Sequence, residues 1–203
     1  MNLRPLPRRF YERDAAEVAP DLLGRFLVRR LDGVTMVGRI VEVEAYGRDD
    51  PGSHAYRGPT RRNASMFGPP GRAYVYVSHG IHHCLNVVCD PPTAILLRAL
   101  EPLQGVEVMA RRRGLHDSRL LCAGPGRLAQ ALGVTLAEDG LPVYRRTGLW
   151  VAAGQPVSEV AVTLRVGMSD AVNRPTRFVD RETRFASRGI GFGSRRVSGP
   201  PRS

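Results

Sequence analysis

The chain has 203 residues, with 30 Lys plus Arg against 19 Asp plus Glu and a formal net charge of +11. All of these basic residues are Arg, so no side-chain amine exists to form a Schiff base with an aldehydic sugar, and only the N-terminal amine is left for that step. The length fits one domain with a buried core, and the charge suits a polyanionic partner, nucleic acid before others, unless it reflects only an arginine-rich genome. Cys84, Cys89 and Cys122 are odd in number and lack CxxC spacing, which argues against a disulfide framework or a zinc site. There is no apolar signal region and no run of about 18 apolar residues, so a reduced protein of the cytoplasm or nucleoid, not a secreted one, is expected.

In chain order, residues 1–9 read as a flexible tail, and Phe10-Tyr11 as a docking point. Asp14 is placed to N-cap a helix through Leu22, with Pro20 expected to kink it or end its first part. Phe26 to Leu31 reads as a strand, and Asp32-Gly33 as a hairpin turn into a second strand that ends Glu42-Val43-Glu44-Ala45-Tyr46. Alternation puts Glu42, Glu44 and Tyr46 on one face and Val41, Val43 and Ala45 on the other. By itself that polar face reads first as a solvated edge strand, and as the lining of a wet groove only second. Residues 47–72 are a long Gly/Pro-rich loop in which Arg57, Arg61 and Arg62 alternate with His54, Tyr56 and Phe67. Such a loop suits phosphate and base contact, or else simple mobility.

Ala73 to Val77 is the next strand, with Tyr74 and Tyr76 on a common face, followed by a turn at Ser78-His79-Gly80. His82 to Cys89 and Ala94 to Leu100 are further strands, and Arg98 inside the apolar second run must be paired or reach a polar cavity. Pro102 to Arg113 reads as a helix with Leu103, Val106 and Met109 inward. Gly124-Pro125-Gly126 opens another helix, whose free N–H groups suit an anion. Strands are expected near Leu149–Ala152, Val160–Val166 and Thr176–Val179, and residues 195–203 as a loose basic tail, all within one domain spanning 1–203.

No metal or cofactor is expected. His82 and His83 fall on opposite strand faces, no HExxH occurs, and neither GxGxxG after a strand nor GxxxxGK[ST] is present. Cys84 and Cys89 lie in apolar strand context, where an inert core cysteine is the simpler reading. What remains is a set of carboxylate, rings and polar groups: Glu44, Tyr46, His54, Tyr76, His79, Asn86 and Arg98. Rings clamp a flat ligand, Asn reads a polar edge and a carboxylate activates water, which is the equipment of an enzyme that flips a base and works on it.

These residues carry a resemblance. Leu22-Leu23-Gly24, Gly38 to Tyr46, Pro59-Thr60-Arg61-Arg62-Asn63, Met66-Phe67, Tyr74-Val75-Tyr76, Leu96 to Leu103, and Cys122 with Gly124-Pro125 together resemble the alkyladenine (3-methyladenine, methylpurine) DNA glycosylases from about Phe10 to Arg188. The resemblance implies a single-domain mixed α/β (α+β) fold with a curved antiparallel sheet flanked by helices. It implies hydrolysis of the N-glycosidic bond of damaged purines in double-stranded DNA, by a monomer. On this reading Glu44 is the general base and Arg98 holds its water. Tyr46, His54 and Tyr76 enclose the base, the His54 main-chain N–H faces the purine N7 side, and Asn86 disfavours the guanine amino group. His79 stands where the family often has a wedge tyrosine and is expected to be the DNA wedge. An alkylated purine already carries positive charge and leaves without a strong general acid, so one carboxylate suffices where sugar hydrolases use two. Glu42 is the rival base. A binding-only protein, or a hydrolase of free nucleosides, remains the competing expectation.

Overall fold

A computed structural model of the chain describes residues 1–169, 173–190 and 195–198. Among them the strands are β1 (Phe26–Leu31), β2 (Val34–Tyr46), β3 (Ala73–Ser78), β4 (His82–Val88), β5 (Ala94–Gln104), β6 (Leu149–Ala152), β7 (Glu159–Thr163), β8 (Arg177–Asp180) and β9 (Arg195–Ser198). They form one curled antiparallel sheet with neighbour order β3-β4-β5-β2-β8-β7-β9, while β1 joins β2 to β6. The fold is thus the mixed α/β arrangement expected. Asp32 and Gly33, with φ of 51° and 75°, make the left-handed pair that a tight hairpin between β1 and β2 requires.

The helices are α1 (Ala15–Leu22), α2 (Val106–Arg113), α3 (Ser118–Leu121) and α4 (Pro125–Leu132). The main core joins Leu22 of α1, Met109 of α2 and Leu128 and Leu132 of α4 to Ile40, Val43, Leu97 and Leu100 of the sheet. Each such side chain, fully buried, contributes roughly 1.5–3 kcal/mol. The opposite face of β2 and β5 is thereby left for polar side chains. No helix among the described residues is long and apolar enough to cross a membrane.

The middle of β2 departs from simple alternation. One edge pairs with β1 up to Arg39 and then with β8 from Glu42 to Glu44, while the other edge pairs with β5, and that register slips between Ile40 and Val43. Val43 and Ala45 face the main core as expected, but Val41 packs with Ala99 and Phe185 in a separate cluster. A bulge adds a residue and shifts side-chain parity. It lies where β2 changes partners, beside the two glutamates.

Other expectations are corrected. Pro102 to Gln104 belong to β5, paired with Val37 and Gly38, and the helix begins only at Val106 after Gly105 (φ 70°). Leu103 is exposed rather than inward. Pro20 lies inside α1 and does not end it, because so near the C-terminus it removes only one late helical bond. The N-terminal stretch is not loose. Leu6 N–H donates to Val151 O at 2.9 Å, Ala153 N–H to Arg4 O at 3.0 Å and Trp150 Nε1 to Leu3 O at 3.0 Å. Arg195–Ser198 pairs with β7 instead of hanging free, and the rest of that expected tail lies outside the described residues. In both places an open strand edge offers unpaired N–H and C=O groups that a neighbouring segment satisfies.

Candidate active site

Glu42 and Glu44 are both wholly buried on the polar face of β2, and Arg98 of β5 lies between them. Glu42 Oε1 accepts from Arg98 Nε at 2.9 Å, Arg177 Nε at 2.8 Å and Ser187 Oγ at 2.7 Å, and Oε2 accepts from the Ser187 N–H. Burial works to raise the Glu42 carboxyl, but Arg177, Arg98 and the Ser187 N–H outweigh it and hold the group below the ordinary carboxylate value. Glu44 Oε1 accepts from Val166 N–H at 2.7 Å, and Oε2 from Tyr46 Oη at 3.0 Å and Arg98 Nη1 at 3.2 Å. A carboxylate has about four acceptor sites. Among the described residues Glu42 accepts from four protein donors, three of them at Oε1, and Glu44 from three, so Oε2 of Glu42 and Oε1 of Glu44 each accept a single bond.

Burial, and Glu44 beside it, push the Tyr46 phenol well above its usual value, so it stays a donor. Burial opposes the charge on Arg98, yet Glu44 and Glu42 more than restore it.

Beyond this corner, Tyr46, His54, Tyr76 and Asn86 line one cavity of about 100 Å³, together with Met66 and Met168. β3 and β4 place Tyr74 opposite Asn86, and the Asn86 amide donates to Tyr74 O at 3.0 Å, which fixes its plane in the wall. The long loop brings in His54, whose ring meets Tyr76 edge-on at 4.5 Å, with Nδ1 2.9 Å from Tyr74 Oη. Burial and then Arg62 lower the His54 pKa, keeping the ring neutral at neutral pH, while burial lifts the Tyr74 phenol to about 12. Asn63 donates to His54 O at 2.8 Å, whereas no acceptor among the described residues takes the His54 N–H.

The cavity adjoins a larger groove of about 550 Å³, lined by Tyr46, Tyr76, His79, Arg98 and the first turn of α4, where the anion site was expected. The seven expected site residues therefore gather around two adjoining spaces. Only Glu44 lines neither, and it is reached through its partners Tyr46 and Arg98. Cys84 also lines the groove, but burial raises its thiol pKa, which leaves it a poor nucleophile. No cluster of three or more metal-ligating side chains occurs among the described residues.

The family model described as methylpurine-DNA glycosylase (MPG) matches residues 9–184. The chain belongs to the methylpurine-DNA glycosylase family. It is 50% identical over 184 residues to a protein of Rhodopseudomonas palustris strain HaA2, with 86% of each chain covered. It is 48% identical over 185 residues to one of Nitrobacter winogradskyi (86% of this chain, 83% of the relative) and 45% over 178 residues to one of Carboxydothermus hydrogenoformans (85% and 93%). All three relatives are provisionally named 3-methyladenine DNA glycosylase. The chain is accordingly a DNA-repair glycosylase, a hydrolase of N-glycosyl bonds acting on DNA.

Several parts of this candidate site escaped the sequence. Arg177 and Ser187 complete the shell of Glu42 from more than a hundred positions away. Arg165, with its side chain fully buried, pairs with Asp50 and lies over the Tyr46 ring at 4.6 Å. Asp50 Oδ1 also accepts from Gly52 N–H at 2.9 Å, so one carboxylate ties the loop bearing His54 to the ring that faces it. A usable signal existed. Arg165 sits in an apolar run just as Arg98 does, and the same demand for a partner applied.

Proposed function

We propose that this glycosylase flips an alkylated purine out of duplex DNA into the cavity and hydrolyses its N-glycosidic bond with a water activated by Glu44. The supporting observation is the setting of the two carboxylates. Glu42 and Glu44 are equally buried and both touch Arg98, but Glu42 is held by two guanidiniums and Ser187, whereas all three donors to Glu44 belong to residues that line the groove, Arg98, Tyr46 and Val166. Arg98, bonded to Glu44 and facing the groove, is assigned the orientation of that water. Tyr46, Tyr76 and His54 stack on and edge the base, and the unclaimed His54 N–H faces its N7 side. Asn86 crowds the exocyclic amino group of an undamaged guanine. His79 sits at the β3–β4 turn that enters the duplex. Neutral His54 avoids setting a cation against a positively charged methylated base.

The leaving group brings its own positive charge, so Glu44 acts as base and stabilises charge growing at C1′. With no Lys in the chain, the product is an intact abasic strand, and the enzyme is monofunctional. It works as a monomer on the bacterial nucleoid, where each phosphate neutralised by Arg gives a slope of about −0.9 in log K against log salt. The test is Glu44→Gln. Lesion-DNA binding should persist while base release falls by about 10²–10⁴-fold, and retained release would move the role to another group. Strand nicking by the pure protein would sink the monofunctional reading.

A further inference from the structure

The β3–β4 turn presents a side chain that the site leaves unused. Ile81 is 72% exposed, more than any other large apolar residue among those described. It follows His79 (φ 51°) and Gly80 (φ 74°), and its N–H closes the turn onto Ser78 O at 3.1 Å. A lone exposed Ile is ordinary on a protein surface, and here its place decides. The strands beneath it carry Tyr76 and Asn86 to the cavity in fixed register, with Tyr76 opposite Cys84 and Ser78 opposite His82. The tip is thus held roughly 10 Å beyond Tyr76, at about 3.3 Å per residue. Cationic and polar groups flank it. His79 and His82 line the groove, and Arg62 donates to Val77 O at 2.9 Å, while Ile81 lies outside the groove lining. His79 is also turned onto its own chain, its Nδ1 2.9 Å from Ser78 Oγ.

We infer that Ile81 is the apolar wedge of this enzyme, entering the base stack in the place of the flipped nucleotide, with His79 beside it toward the groove and the displaced backbone. The inference rests on the base-flipping reading above. Apolar side chains, Ile included, serve as wedges between base steps because their surface leaves water without burying a polar group unpaired. An imidazole in the same gap would have ring nitrogens to satisfy.

The experiment compares Ile81→Ser and Ile81→Met on a duplex carrying one methylated purine beside a 2-aminopurine reporter. The account expects Ile81→Ser to melt at the wild-type temperature, to brighten the reporter little and to release base roughly tenfold or more slowly, the scale of one unstacking interaction lost. Ile81→Met, still apolar, should stay within about threefold of wild type. Wild-type release and brightening by Ile81→Ser would overturn the wedge, as would equal losses in both variants. Wild-type protein that brightens the reporter but frees no base would sink the catalytic reading and leave the wedge standing.

Discussion

Glu42 and Glu44 stand two residues apart on β2, face the same side, are equally buried and share Arg98, yet their surroundings are built for different ends. Around Glu42 every donor comes from the protein: two guanidiniums and both polar groups of Ser187. That corner is closed, and it joins β2, β5, β8 and the segment at Ser187. Around Glu44 the donors are Arg98, the Tyr46 phenol and the Val166 N–H, and all three residues line the groove. The shell of Glu42 is that of a structural anchor, whereas the donors of Glu44 are shared with the groove. Burial and charge alone do not separate two such carboxylates, but the side on which each shell opens does.

The largest stability effect expected from this comparison is at the closed corner. Glu42→Ala strands Arg98 and Arg177 without their shared partner and should cost about 3–5 kcal/mol in denaturant unfolding. A loss below about 1 kcal/mol would mean that the corner is not an anchor. Next is the wall that carries Tyr46. Asp50→Asn weakens the pair that backs the ring and holds the His54 loop, and base release should fall about tenfold with every lesion tested. A loss confined to one lesion would instead place Asp50 in base recognition. Acid should also weaken the closed corner. Because the folded Glu42 pKa lies below its ordinary value of 4.5, its stabilisation is complete above that pH and is lost as pH falls from there through the lowered folded value. Thermal melts of Glu42→Gln should therefore show a weaker pH dependence below 4.5 than wild type. The smallest effect is at the rim, where His79→Ala should slow release only a few-fold, roughly 1 kcal/mol. Unchanged binding and release would remove His79 from the part of the turn that enters DNA.

Much of this was legible in the chain. Period-two alternation located β2, Asp32-Gly33 located its hairpin, and the rule that Arg98 must be paired or reach a polar cavity is met on both counts. The catalytic choice between Glu42 and Glu44 was not readable from alternation, since both share a face, and it came first from the resemblance. Local sequence missed what long-range pairing decides. The bulge that turns Val41 away depends on the register with β5 where the other edge of β2 passes from β1 to β8. The strand run through Pro102 reads as helix because its apolar spacing fits both periods. Arg165, Arg177 and Ser187 reach the site from segments that carry no motif, so nothing near them in the chain specifies their partners.

The most direct measurement of the central claim is single-turnover release of a methylated purine from duplex DNA by Glu44→Gln and Glu42→Gln, each with its melting temperature. The account predicts that Glu44→Gln folds and binds like wild type but releases almost no base, while Glu42→Gln melts lower and keeps measurable release wherever it is folded. Lost release in a well-folded Glu42→Gln, with release retained in Glu44→Gln, would contradict it.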